Sequence, residues 1–206
     1  MSTLKTGALR GTSGTADSVQ LHASDQSVTF PGAVTITGAV TANGGGVGKV
    51  LQIVANTQTA NFSNNVGSTH FWGPSEFETT ITPSSASNKV LIQGHFCVDA
   101  AIAMGMGVQV QHTGGGGTLV TGANATVAGQ RKTVHSATKT TGERMVNLPL
   151  TFLDSPNTTS AITYKFWFNH TSGSARVLYI NQSHEDTNHG EISRAVSTVL
   201  LTEIAG

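Results

Sequence analysis

The chain has 206 residues, room for one good-sized domain plus an appendage. Charged residues make up 11%, against about a quarter in average soluble domains, and 11 Lys and Arg offset 11 Asp and Glu. This neutrality excludes a nucleic-acid binder that depends on a basic excess, and chains near zero net charge tend to associate.

Residues Met1 to Ser18 are polar and rich in Gly, Ser and Thr, with Leu4 and Leu9 as the large apolar groups. Such a segment cannot bury enough surface by itself to offset its chain entropy. It reads as an attachment arm, over 1–27, that orders on a partner. It also lacks the apolar core of a secretory signal, so the expectation is a protein made in a host cytoplasm. No run approaches the roughly 18 apolar residues of a membrane span, so no membrane insertion is expected.

Val19, Leu21 and Ala23 alternate with polar residues, and Val28 and Phe30 follow a Ser24-Asp25-Gln26 turn signal. Then comes a short echo. Gly32-Ala33-Val34-Thr35 returns six residues on as Gly38-Ala39-Val40-Thr41, and Gly44 holds the next glycine place. Hexapeptide-type units bury their apolar side on a neighbouring unit, and stacks need about three or more of them. Here there are two units and a fragment. One copy cannot cover Val34, Ile36 and Val40, so 28–48 is expected to be an intertwined stem of three chains. It ends in the glycine-rich joint around Gly44-Gly45-Gly46 and Gly48.

From Lys49 the pattern is a series of short strands parted by turn chemistry. Val50 to Val54 opens it. Thr69 to Thr82 carries Phe71, Trp72, Phe77 and Ile81, and Pro83 to Asn88 turns. Lys89 to Ala103 is a long apolar run with Val90, Ile92, Phe96 and Val98 as inner positions. Gly105 to Gln111 alternates, Gly114 to Gly117 is a loop tip, and Thr118 to Val120 is a short strand. Val127 to Arg144 reads as strand-loop-strand. Met145 to Leu153 alternates through Val146, Leu148 and Leu150. Ala161 to Asn169 places Ile162, Tyr164, Phe166 and Phe168 on one face and Lys165 and Trp167 on the other. Ala175 to Asn181 is a strand, His184 to Gly190 a loop, and Ile192 to Ile204 the closing strand. No segment sustains a 3.6-residue apolar period. Eight to ten such strands predict an all-β chain with an antiparallel jelly-roll or β-sandwich head over 49–206. Val50 to Val54 and Val196 to Ile204 are expected to be neighbours, with the stem and C-terminus at one end.

Cys97 is the single cysteine, so neither an internal disulfide nor a cysteine-metal site is available. Its place in an apolar run predicts a buried thiol.

The phrases SDQSVTFPGAVTITGAV, GKVLQIV, TITPSSASNKVLIQGHF and YINQSHEDTNHGEISRAVSTVLLTEIA together touch most of the chain. They resemble tail-fibre and head-fibre proteins of tailed bacteriophages. The resemblance implies a homotrimeric virion protein, a short fibre or capsid decoration. Its N-terminus would dock on capsid or tail proteins. Its head would be a tumour-necrosis-factor-like jelly roll facing outward. The alternative is a receptor-binding module in which loops at 114–117, 123–144 and 183–190 grip a host surface glycan.

Candidate chemistry is sparse. The stretch Asn181 to Glu191 gathers His184, Glu185, Asp186, His189 and Glu191, and His184, Asp186 and His189 are weak candidates for a divalent ion. Their spacing fits no defined metal loop, and a solvated loop is the reading adopted, with no metal and no cofactor. His70, His95, His112 and His135 are scattered through strands as satisfied or half-exposed imidazoles. No nucleophile elbow and no carboxylate pair suited to sugar hydrolysis is present, so the chain is read as non-enzymatic. Trp72, Trp167 and Tyr179 are candidate stacking or interface aromatics, since such rings serve sugar sites, cores and interfaces alike.

Overall fold

A computed structural model describes residues 49–113, 118–120, 123–125, 133–142, 144–188, 190 and 192–206. The arm, the stem residues Val34, Ile36 and Val40, the loop tip at 114–117, and His189 lie outside the described residues.

The strands are β1 (Val50–Gln58), β2 (Phe62–Val66), β3 (Thr79–Ile81), β4 (Lys89–Ala100), β5 (Gly105–His112), β6 (Thr118–Leu119), β7 (Ser136–Lys139), β8 (Val146–Asp154), β9 (Ile162–His170), β10 (Arg176–Ile180) and β11 (Ser197–Ile204). All pairings are antiparallel. The all-β expectation holds. Among the described residues the helical content is one 3₁₀ turn, Ser75–Phe77.

Several strands are halves of one longer ribbon. β11 pairs with β4 over His95 to Lys89, and β10 pairs with the same side of β4 over Ala100 to Val98. The two halves therefore lie end to end. β1 and β2 lie end to end against them, β1 on β11 and β2 on β10. On the other sheet the bridge between Trp72 and Phe168 and the short strand β3 share one side of β9, and β6 and β7 share one side of β5. Counting ribbons in chain order, the first sheet runs sixth (β8), third (β4), eighth (β10 with β11), first (β1 with β2). The second sheet runs second (Trp72 with β3), seventh (β9), fourth (β5), fifth (β6 with β7). That is the eight-ribbon jelly roll. The expected contact between the opening and closing strands is present, with Val50 opposite Ile204 and Gln58 opposite Ser197. Lys49 accepts a hydrogen bond from the Ala205 amide at 2.9 Å, which puts the start of the head beside the C-terminus.

The core follows from period-two alternation. Val90, Ile92, Phe96 and Val98 of β4 are fully buried, as are Val199 and Leu201 of β11. Phe96 packs edge-on against Phe77 and Phe168 with centroids 5.4 and 5.1 Å apart. Gly94 makes room for that ring, since a Cβ there would lie 2.7 Å from Phe96 Cε2.

Two stretches differ from the expected strands. Over Thr69 to Thr82 the chain forms a bridge at Trp72, the 3₁₀ turn and only three strand residues. Gly73-Pro74 breaks the ladder there, because proline has no N–H to donate. The closing strand starts at Ser197 and not at Ile192, because 181–196 leaves the sheet. Asn181 makes the exit with φ 65°, a left-handed turn that asparagine tolerates better than branched residues. Its Nδ2 donates to the carbonyls of Gln58 and Ala60, and its Oδ1 accepts from Ser197 Oγ at 2.6 Å. Ser197 Oγ in turn accepts from the Cys97 amide at 3.0 Å. Exit and re-entry of the excursion are thus clamped together.

Candidate functional site

The outward faces of the two sheets differ in chemistry. On the second sheet, side chains opposite the core alternate along β9 as Lys165, Trp167 and Asn169, ending beside Thr171. Their partners on β5 are Gln111, Gln109, Gly107 and, for Thr171, Gly105. The glycines let neighbouring side chains close in at one end of this row. A Cβ on Gly105 would meet Thr171 Cγ2 at 2.9 Å, and one on Gly107 would meet Val134 Cγ1 at 2.7 Å and Asn169 Oδ1 at 2.9 Å. Beside them lies a cleft of about 750 Å³, within the range of about 300–1,000 Å³ typical of small-molecule sites. Its floor is β5 and β9, and its walls are Ser68-Thr69, Thr171 to Gly173, and Val134 with Ala137.

His170 holds two of these walls. Its Nε2 lies 2.8 Å from the Val66 carbonyl, and its Nδ1 accepts the Ser172 amide at 3.2 Å. A neutral imidazole with the proton on Nε2 satisfies both contacts. Asn169 is 2% exposed and its Nδ2 has no hydrogen-bond partner among the described residues. Buried amides normally find a partner, so this one stands out.

Trp167 sits next along the same row, half-buried, with its Nε1 buried and without a hydrogen-bond partner among the described residues. The indole lies over the Gly73 backbone, and a Cβ there would approach Cδ2 and Cε2 at 2.7 Å. Gly73→Ala is expected to push the ring outward, destabilise the domain by about 1–3 kcal/mol and red-shift the tryptophan emission. Thermal melts and fluorescence in a Trp72→Phe background check this.

The structure does not gather the three sequence-nominated aromatics. Trp72 pairs across from Phe168 and packs on the core edge, its ring centroid 6.4 Å from that phenyl. Tyr179 lies on β10 opposite Asp99, on the outer side of the first sheet. Trp167 belongs to the outer side of the second. No common stacking platform results.

Of the metal candidates, His184 and Asp186 are among the described residues, and each is engaged by a different partner. Asp186 is held by Arg194 through two hydrogen bonds, at 3.0 and 2.9 Å. The hydrogen bond and charge of that guanidinium keep its carboxyl below the ordinary range. His184 turns instead to Asp99, Nδ1 to Oδ2 at 3.1 Å, and its amide donates to the same oxygen at 2.9 Å. Asp99 is fully buried beneath the 181–196 excursion. Beside it on the outward side of β4, Cys97 is 7% exposed, and burial pushes its thiol pKa up. The thiol is buried as expected, but under a returning loop and not in the core.

The scattered histidines have separate surroundings. His70 and His95 are exposed, and His135 Nδ1 contacts the Ala123 carbonyl. His112 Nδ1 is buried without a hydrogen-bond partner among the described residues and borders a second hollow with Asp154, whose carboxylate accepts the Tyr164 hydroxyl at 2.6 Å. Burial, aided by that carboxylate, raises the Tyr164 pKa far above its ordinary value.

No protein-family model and no curated protein matches the chain. Solved structures that resemble it come from infectious bursal disease virus. Particles with T=1 symmetry derived from that virus align with a TM-score of 0.39 and 18% identity, over 74% of this chain and 38% of theirs. The VP2 subviral particle aligns with a TM-score of 0.39 and 17% identity, over 74% and 39%. The T13 viral particle aligns with a TM-score of 0.38 and 15% identity, over 74% and 37%. The chain thus spans less than two fifths of the length of each. The jelly-roll assignment rests on the strand pairing itself.

The outer side of the first sheet carries the other feature. Ile53, Thr202, Leu91 and Leu153 stand in one lateral row across β1, β11, β4 and β8. The flanking rows are Ala55, Leu200, Gln93 and Thr151 on one side, and Val50, Ile204 and Lys89 on the other. Val50, Leu51, Ile53 and Leu153 are 52%, 38%, 62% and 50% exposed. Lys89 is the one charge in these rows, and it donates to Ser155 Oγ at 2.9 Å.

Proposed function

We propose that the chain is a non-enzymatic structural subunit of a bacteriophage virion, a homotrimeric short fibre or capsid decoration. Its N-terminal segment docks on capsid or tail proteins and its jelly-roll head faces outward. The observation that carries this reading is the largely apolar face of the first sheet, in which Lys89 is the one charge. Contiguous exposed apolar surface marks an interaction site. A face with almost no charge opposes no copy of itself, and it suits a second copy of the same chain better than a charged partner. The formal neutrality of the whole chain fits permanent assembly as well.

The test is oligomeric state. Ile53→Glu combined with Leu153→Glu puts carboxylates into the row without touching the buried core. The wild type is expected to scatter as a trimer in dilute solution, and the double variant as a folded monomer. A wild-type monomer, or a variant that stays trimeric, would remove this interface.

A second reading is recognition of a host surface glycan. The cleft over Gly105, Gly107 and Asn169 supports it. This cleft draws on Val134 and Ala137 from the loop expected at 123–144, and otherwise on elements outside the loops nominated from sequence.

A further inference from the structure

We infer that the cleft over β5 and β9 is a binding site for a neutral sugar residue, with Asn169 and the hydroxyls around it as the recognition groups; this rests on the glycan reading and gives it a place and a ligand class.

Three observations carry it. The first is charge. Among the described residues lining the cleft none is Asp, Glu, Lys or Arg, and their one imidazole already uses both nitrogens within the fold. A phosphate, a carboxylate or an ammonium ligand would enter without a counter-charge, which is unfavourable away from water. The second is the density of neutral hydrogen-bonding groups. Ser68, Thr69, Thr171 and Ser172 ring the opening. Thr171 Oγ1 already accepts the Gly105 amide at 3.0 Å, which leaves its proton to be donated outward. A polyhydroxylic ligand offers both donors and acceptors at this spacing. The third is the floor. Val134, packed over Gly107, and Ala137 make one side of it apolar, and Thr171 stands close over Gly105. A pyranose presents a C–H face as well as hydroxyls, so it matches a site that is half apolar and half amide and hydroxyl.

Asn169 gives the site its specificity. Its Nδ2 is a buried donor without a partner among the described residues, and a site with an unmet polar group discriminates strongly for ligands that meet it. The neighbouring Trp167 is not required as a stacking face, since its ring is turned over Gly73.

The experiment is titration of the full chain with the methyl glycosides of glucose, galactose, mannose and N-acetylglucosamine. Sialic acid and inorganic phosphate serve as anionic probes, read by calorimetry and saturation-transfer NMR. The expected result is binding of at least one neutral glycoside and no comparable binding of the anions. Asn169→Ala should weaken it by about tenfold or more, the worth of one to two hydrogen bonds. Thr69→Trp, a change at an exposed rim position, should block the opening and abolish binding, so the inference stays testable even if Asn169→Ala fails to fold. Sialic acid or phosphate binding in preference, lost in Thr69→Trp, would overturn the neutral class and leave glycan or anion recognition at this cleft. Neutral-sugar binding unchanged in both variants would overturn the cleft and leave the glycan reading standing. Absence of binding by every sugar would overturn both.

Discussion

Glu203→Gln is expected to lower stability by about 3 kcal/mol near neutral pH, the scale of breaking a buried charge-assisted hydrogen-bond set. Glu203 is 1% exposed on the inner side of β11. Its Oε1 accepts from Asn88 Nδ2 at 2.5 Å, from the Ser84 amide at 2.7 Å and from Ser84 Oγ at 2.9 Å. Its Oε2 accepts from Gln52 Nε2 at 2.6 Å. All four partners donate, so an amide in place of the carboxylate would point its own N–H groups at donors. Burial pushes the carboxyl pKa upward. The hydrogen bonds from Asn88, Gln52 and Ser84 outweigh it and bring the value down to about 2 from an ordinary 4.5. A folded value below the unfolded one means the contribution is whole above pH about 4.5 and is lost as pH falls toward about 2. Thermal melts across that window should show an acid slope in the wild type that Glu203→Gln flattens. A melting temperature within a degree or two of wild type at neutral pH, roughly what half a kcal/mol would give, would show that the cage does not hold the closing strand to the 82–88 turn.

Asp99→Ala is expected to release the 181–196 excursion and to raise the reactivity of Cys97 toward a thiol reagent on the order of tenfold, as local opening becomes easier. Asp99 takes the amides of Ala100 and His184 and faces the His184 ring. Removing it leaves two buried donors unpaired, about 2–4 kcal/mol in all. Cys97 Sγ lies 3.8 Å from the Val196 carbonyl and 3.6 Å from Asn147 Oδ1, so its labelling reports whether the returning chain still covers it. A variant that melts lower but labels at the wild-type rate would place the role of Asp99 in the sheet and not in the loop.

The alternating strands were legible because their pattern is local. Ile162, Tyr164, Phe166 and Phe168 face the core as read, and so do Leu148 and Leu150. What stayed hidden depends on residues distant in sequence. Gly107 and Gln109 of β5 are buried on the side away from the core because Val134 and Thr133 fold over them. Asp99 reads as a surface acid interrupting an apolar run, until His184 arrives from the far end of the chain to cover it. Glu203 reads as the polar partner in an alternating strand, yet its side chain points inward to a cage built from β1 and the 82–88 turn. Asn169 carried no signal beyond a common Asn-x-Thr pattern. Its meaning depends on the two glycines across the ladder, and spacing along one strand does not encode that pairing.

The clamp between Asn181 and Ser197 has a consequence for change over time. The chain departs from one rung of the sheet and comes back at the next, so the detour is tied at both ends, and His184 ties it once more to Asp99 near its start. Lengthening such a detour is entropically mild, since each doubling adds only about 0.6 kcal/mol. The head therefore carries a ready socket for new sequence. Foreign peptides spliced after His184 and before Val196, with the contacts to Asp99 and Cys97 kept, would be displayed on an unaltered scaffold, and relatives of this chain would be free to lengthen there while keeping every strand in register.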